Sequence, residues 1–162
     1  MQGGLLSYGL VCALAIALVI AAYTDLRRRE IDNWLNVAIA LGAPLFWYAD
    51  GQNWVDIVLQ IGIAAMVFLV LFGLFSLGWM GGGDVKLLSA LALWIHPLWF
   101  LQLLVMMSIA GGLLTIIIFI EHKLRDRQQK IKIPYGVAIS AAGIWVIATQ
   151  VWPALAPAPV VG

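Results

Sequence analysis

Long apolar stretches separated by short charged clusters dominate the chain. Met1–Thr24, Asn33–Ala49, Ile57–Gly83, Leu87–Ile120 and Ile133–Gly162 contain no Asp, Glu, Lys or Arg. A helix crossing the hydrocarbon core of a bilayer needs ~20 apolar residues. The runs predict helices over 5–24, 34–49, 56–78, 84–96, 98–121 and 135–152. Asp32 or Asn33 is placed to cap the second helix, and Gly51-Gln52-Asn53 forms a turn before the third. Pro97 divides one continuous apolar run into two helices, because a proline inside a helix removes a hydrogen bond and clashes with the preceding turn. The tail from Pro153 is rich in Pro and Ala and reads as irregular. No internal repeat is evident.

Composition makes this a membrane pattern. Of 162 residues, 64% are hydrophobic and 10% charged, with mean hydropathy +1.01, which excludes a soluble globular domain. The expected architecture is all-α: one polytopic membrane domain over 1–162, with about six transmembrane helices. A net charge of +1 points to no nucleic-acid partner. The one cysteine, Cys12, excludes an internal disulfide and reads as a small buried apolar residue. Met1-Gln2-Gly3-Gly4 lacks the basic start of a cleaved signal peptide, so the first helix reads as an uncleaved anchor with its start outside.

Basic residues fix the orientation, since Lys and Arg concentrate in cytoplasmic loops. Arg27–Arg29 form one cluster; Lys123, Arg125, Arg127, Lys130 and Lys132 form another. Both lie inside if helices two to five make four crossings. That gives six spans, both termini outside, and an outer loop at 50–56. Trp47, Trp54, Trp94, Trp99 and Trp152 then fall near the outer interface and Trp34 and Trp79 near the inner one, as an aromatic belt. Trp145 falls mid-helix, packed against a neighbour.

Ionisable groups at membrane-helix ends are candidates for function. Asp25 ends the first apolar run, and Asp84 follows Gly81-Gly82-Gly83 at the start of the fourth helix. In this topology both lie at the cytoplasmic boundary. The glycines permit a tight turn and close approach. Two adjacent carboxylates tend to share one proton. The ionised one can deprotonate a water while its partner donates to a peptide carbonyl, so the pair can hydrolyse an amide with neither metal nor cofactor. Helix dipoles favour an anion at an N-terminus and disfavour one at a C-terminus. On that argument Asp84 is the base and Asp25 the acid, although Arg27–Arg29 pull the other way.

The remaining polar residues have simpler readings. Asp50 and Asp56 are boundary residues, and Glu30 and Asp32 balance the basic loop. Glu121 is spaced to pair with Arg125. His96 and His122 are isolated and no metal site is expected. Met106-Met107 and Gly111-Gly112 look like helix packing. Lys86 either snorkels to the interface or stabilises Asp84 or a substrate carboxylate. The loop at 123–132 sets topology and meets anionic lipid.

At these residues the chain resembles a known family. Gly81-x-Gly83-Asp84 resembles the signature of the GxGD membrane aspartyl proteases. Gly81-x-Gly83-Asp84-x-Lys86-Leu87, with Asp25-Leu26-Arg27 and Ile31-x-Asn33 upstream, is similar to the type IV prepilin peptidases. Pro134-Tyr135-Gly136, with Gly143 after it, resembles their C-terminal motif. The resemblance implies catalytic Asp25 and Asp84, supported by Gly81, Gly83 and Lys86. Glu30, Asp32, Asn33, Pro134, Tyr135 and Gly136 are candidate substrate-binding residues. It implies prepilin or pseudopilin substrates, cut after a glycine at the cytoplasmic face of the bacterial inner membrane.

Two departures qualify it. Larger prepilin peptidases carry an N-terminal extension with paired cysteines linked to N-methylation. Its lack here implies cleavage without methylation and resembles the compact peptidases of Flp/Tad pilus systems; archaeal preflagellin peptidases are also short relatives. Many relatives also have a proline where Asp32 stands. Paired membrane aspartates also build proton and cation pathways, so transport is the rival of another class, and a non-catalytic pilus subunit is a third reading. Homo-oligomerisation is left open.

Overall fold

A computed structural model describes residues 4–124 and 134–155. Among these the chain is entirely helical: α1 Leu5–Arg28, α2 Asn33–Ala49, α3 Trp54–Ser76, α4 Gly82–Ala92, α5 Pro97–Leu124, α6 Tyr135–Val146 and α7 Trp152–Leu155. A π-helical turn, Ile147–Val151, joins α6 to α7. The tail expected to be irregular from Pro153 is therefore helical to Leu155; 156–162 lie outside the described residues.

Turn chemistry sets the ends. Gly51 (φ 68°) and Gly78 (φ 75°) are left-handed, the conformation glycine adopts at least cost. Both close their helices by Schellman bonding: Gln52 N–H donates to Trp47 O after α2, and Trp79 N–H to Leu74 O after α3. Asn53 caps α3, its Oδ1 accepting from the N–H groups of Val55 and Asp56. Asp32 occupies the N-cap position of α2 without a capping bond. Its carboxylate instead takes Arg28 Nη2 at 2.8 Å. Pro97 opens α5, where its missing N–H costs nothing.

Four stretches are long and apolar enough to cross a membrane: Leu5–Arg28, Trp54–Ser76, Pro97–Glu121 and Tyr135–Leu155. By contrast α4 has 11 residues, about 16 Å of helix, roughly half the hydrocarbon core. It is the buried centre. Leu87, Leu88 and Leu91 are fully enclosed, with α3 along one side and α2 and α6 against others. In turn α6 lies between α1 and α5, close enough at Gly143 that a Cβ there would meet Leu18 Cδ1 at 2.9 Å.

The end of α4 explains two tryptophans. The last carbonyls of a helix lack intrahelical partners. Trp47 Nε1 donates to Leu93 O at 2.9 Å, and Gln60 Nε2 donates to Ala92 O and Ile95 O, each at 2.7 Å. Trp94 Nε1 donates to Ile39 O, and Gly42 leaves room for its ring. Trp47 and Trp94 are thus buried connectors, not members of an interfacial belt. Trp34, Trp54, Trp79 and Trp152 are exposed, and so is Trp145, which was expected to be packed. Cys12 is likewise exposed on α1 rather than buried.

Candidate active site

One end of the bundle collects the C-termini of α1 and α3 and the N-termini of α2, α4 and α6. There a cleft of about 660 Å³ is lined by residues that include Asp25, Glu30, Asn33, Gly81, Gly83, Asp84 and Tyr135. Asp25 and Asp84 thus come from different helices to the same cavity, near enough for the charge on one to act on the other.

Asp25 lies in the last turn of α1 and is 6% exposed. Arg29 closes the helix in a left-handed conformation, φ 55°, uncommon for a residue other than glycine, and its N–H bonds to Asp25 O at 2.8 Å. The Asp25 side chain meets the start of α6: Oδ2 accepts from Val137 N–H at 3.3 Å. Gly136 makes this approach possible. A Cβ there would lie 2.8 Å from both Asp25 Oδ2 and Ile31 Cδ1.

Asp84 is in the first turn of α4, whose N-cap position is Gly81. Its carboxylate turns back onto the Gly81 backbone, and a Cβ on Gly81 would sit 2.9 Å from Oδ2. This is the reach of a third-position acid in a capping box. Gly83 is less constrained; a Cβ there would make ordinary contacts with Ile31. The left-handed turn needed to bring the segment round is at Gly78, three residues before Gly81.

Both aspartates therefore face helix N-termini, Asp84 at α4 and Asp25 at α6. The dipole argument that made Asp84 the base and Asp25 the acid considered only the helix carrying each residue. With α6 on Asp25 it separates the two no longer.

Lys86 Nζ donates to Asn33 Oδ1 at 2.7 Å, tying α4 to α2 at the rim of the cleft. Tyr135 borders the cleft, and Gly111 leaves room for its ring. Pro134 is the N-cap residue of α6, and Asp32 is engaged with Arg28; neither lines the cleft. Trp79, Met80 and Ile31 do line it. The first was read as an interfacial anchor, Ile31 entered only as part of the Ile31-x-Asn33 motif, and nothing in an apolar sequence marks Met80. Arg125, Arg127, Lys130 and Lys132 lie outside the described residues, as do the side chains of His122 and Lys123. No group of three or more His, Cys, Asp or Glu able to hold a metal occurs among the described residues.

The sequence profile of the type IV leader peptidase family matches residues 12–116, more than half the chain. The chain belongs to the type IV leader peptidase family. It is an aspartic-type endopeptidase of the membrane. A search of curated proteins found no match, and neither did a search of solved structures. The matched stretch of the leader peptidase holds Asp25, Asp84 and the glycines between α3 and α4. Gly136 and Tyr135 fall beyond it, yet α6 completes the surroundings of Asp25.

Proposed function

We propose that this leader peptidase removes the short basic leader of Flp-type prepilins at the cytoplasmic face of the bacterial inner membrane, with Asp25 and Asp84 as its catalytic pair. The observation that carries this is the convergence of both carboxyls on one cleft from α1 and α4. In the mechanism one proton is shared by the pair. The ionised carboxylate takes a proton from a water as its oxygen attacks the scissile carbonyl. The protonated partner donates to the carbonyl oxygen. The tetrahedral intermediate then collapses: the partner takes its proton back from the intermediate's hydroxyl, the C–N bond breaks, and the leaving amine takes up the proton that the first carboxylate drew from the water. Glu30, beside the cleft, suits the basic residues of a leader.

The orientation rests on Arg27–Arg29, next to the cleft, being held inside by the positive-inside rule. Six crossings with both termini outside follow if the α4 segment, extended by Leu93–His96, completes the passage. Cys12 is the one cysteine of these 162 residues and is exposed on α1, which supports cleavage without N-methylation. The new pilin terminus is expected to be an unmethylated amine.

Purified protein incubated with a synthetic Flp-type prepilin tests this. Wild type should release the leader and leave an unmethylated terminus by mass spectrometry. Asp25→Asn and Asp84→Asn should each lose about a thousandfold or more in kcat/KM. Full turnover by either variant would remove the paired mechanism.

A further inference from the structure

A second cavity, about 600 Å³ and almost wholly apolar in its lining, opens beside the aspartate cleft between α2, α3 and α4. Each helix contributes residues at i, i+3, i+4 and i+7: Asn33 to Ala40 on α2, Ile61 to Phe68 on α3, and Lys86 to Leu93 on α4. That spacing is one face of a helix. Contacts join α2 to α4 and α3 to α4, but α2 and α3 scarcely touch. The arrangement is a trough with α4 as its floor and α2 and α3 as its walls. Its shape is that of a helical bundle short of one member. Alanines at 64, 65 and 90 keep the walls and floor low, as at membrane interfaces where a second helix approaches closely.

Two observations say what lies there. Asn33 lines both the trough and the aspartate cleft, so a chain can run from one into the other. The polarity also changes along that path. The cleft is bordered by three acids, Asp25, Glu30 and Asp84, against one cation, Arg29, whereas the trough is apolar below a cationic rim at Lys86. A basic peptide segment belongs on the first side of Asn33 and an apolar helix on the second. An occupant that stays in the bilayer can enter sideways between α2 and α3.

We infer that the trough between α2, α3 and α4 seats the membrane helix of the prepilin substrate, so that its leader crosses Asn33 into the aspartate cleft. This rests on the prepilin-cleaving reading of the site. Alanine at 65 is a specificity position in this account: it faces the trough, while Met66, its neighbour, is 65% exposed and does not line it.

The test uses the full chain in lipid nanodiscs with a synthetic prepilin bearing a basic leader and an apolar helix. A photo-activated benzophenone side chain is placed at 65, or at 66, in the Asp84→Asn protein. Position 65 should crosslink to the apolar helix of the prepilin, and position 66 at least about tenfold less. Equal crosslinking from the two positions, an adduct with lipid alone, or a crosslinked dimer of this chain would overturn the inference. Ala65→Trp in the otherwise native enzyme should lower kcat/KM on the same prepilin about tenfold, whereas Met66→Trp should stay within about twofold. Equal losses from both tryptophans would also count against the trough. The two readings separate cleanly. Crosslinking from 65 with no cleavage by wild type removes the catalytic reading and leaves the trough; cleavage by wild type with position 65 silent removes the trough alone.

Discussion

The two ends of the bundle use their polar groups in opposite ways. At the end away from the cleft, Trp47 and Gln60 reach from α2 and α3 to the free carbonyls that follow α4, and Asn53 caps α3. At the cleft end, α2, α4 and α6 all start without a side-chain cap. The start of α6 takes a carboxylate from another helix, Asp25 of α1, while α4 carries its own acid, Asp84, in its first turn. Polar groups at one end are consumed in holding helices together. At the other they are held ready around a pair of acids. Asp50 marks the same contrast: 7% exposed at the distal end, its oxygens make no well-formed hydrogen bond, whereas Asp25 sits on a helix N-terminus.

The contrast breaks first at Gly136. Alanine there would force apart Asp25 Oδ2 and the start of α6, which now leave only 2.8 Å for a Cβ. Gly136→Ala should lower kcat/KM about a hundredfold, the scale of a misplaced catalytic group. Gly112→Ala, with nothing within 4 Å of its Cβ, should leave cleavage near wild type. Comparable rates for the two variants in a cleavage assay would show that the α6 contact does not matter.

Gln60→Leu probes the other end. It strips two carbonyls of their donor, at a cost of roughly 1–3 kcal/mol. Thermal unfolding in detergent should report that loss while kcat/KM below the transition stays unchanged. A fall in kcat/KM without a fall in Tm would mean that the two ends are coupled rather than divided in labour.

Asp50 sharpens the comparison with a smaller effect. Burial pushes its carboxyl above the ordinary value of 3.8, with Gln52 only partly offsetting this. A folded-state pKa above the unfolded one means that the fold binds the proton more tightly. The stability it brings is complete below the unfolded pKa and is lost as pH rises through the folded value. Asp50→Asn removes that loss. Its Tm should exceed that of wild type by a margin that grows from pH 4 to pH 7, on the order of a few degrees. A constant or shrinking margin would show that Asp50 is paid for by a contact of its charged form.

Much of the helix layout was legible because uncharged runs and Pro97 mark where spans begin and end. The first helix outruns its predicted end at 24 to reach Arg28 because Thr24, Asp25 and the arginines continue the helix at the boundary. Which face of each helix is buried was not legible. In a bilayer the outward face is as apolar as the inward one, so Leu18 at 0% and Val19 at 57% exposed look alike in sequence. The same degeneracy hid the burial of Trp47 and the exposure of Cys12. At the candidate site, charge in an apolar background singled out Asp25 and Asp84, and glycines singled out the turn before Asp84. The contact of Gly136 with Asp25 spans 111 positions in the chain, and nothing local announces it. Nor does local pattern show that α6 brings a second helix N-terminus to the pair.

The central claim is that two carboxyls act as one unit. The most direct measurement is a double-mutant cycle on prepilin cleavage with Asp25→Asn, Asp84→Asn and the two combined. Groups that act as a unit are strongly non-additive, so the double variant should be no slower than the worse single variant, itself down about a thousandfold or more. Losses that add, or a single variant that still cleaves at near the native rate, would contradict it.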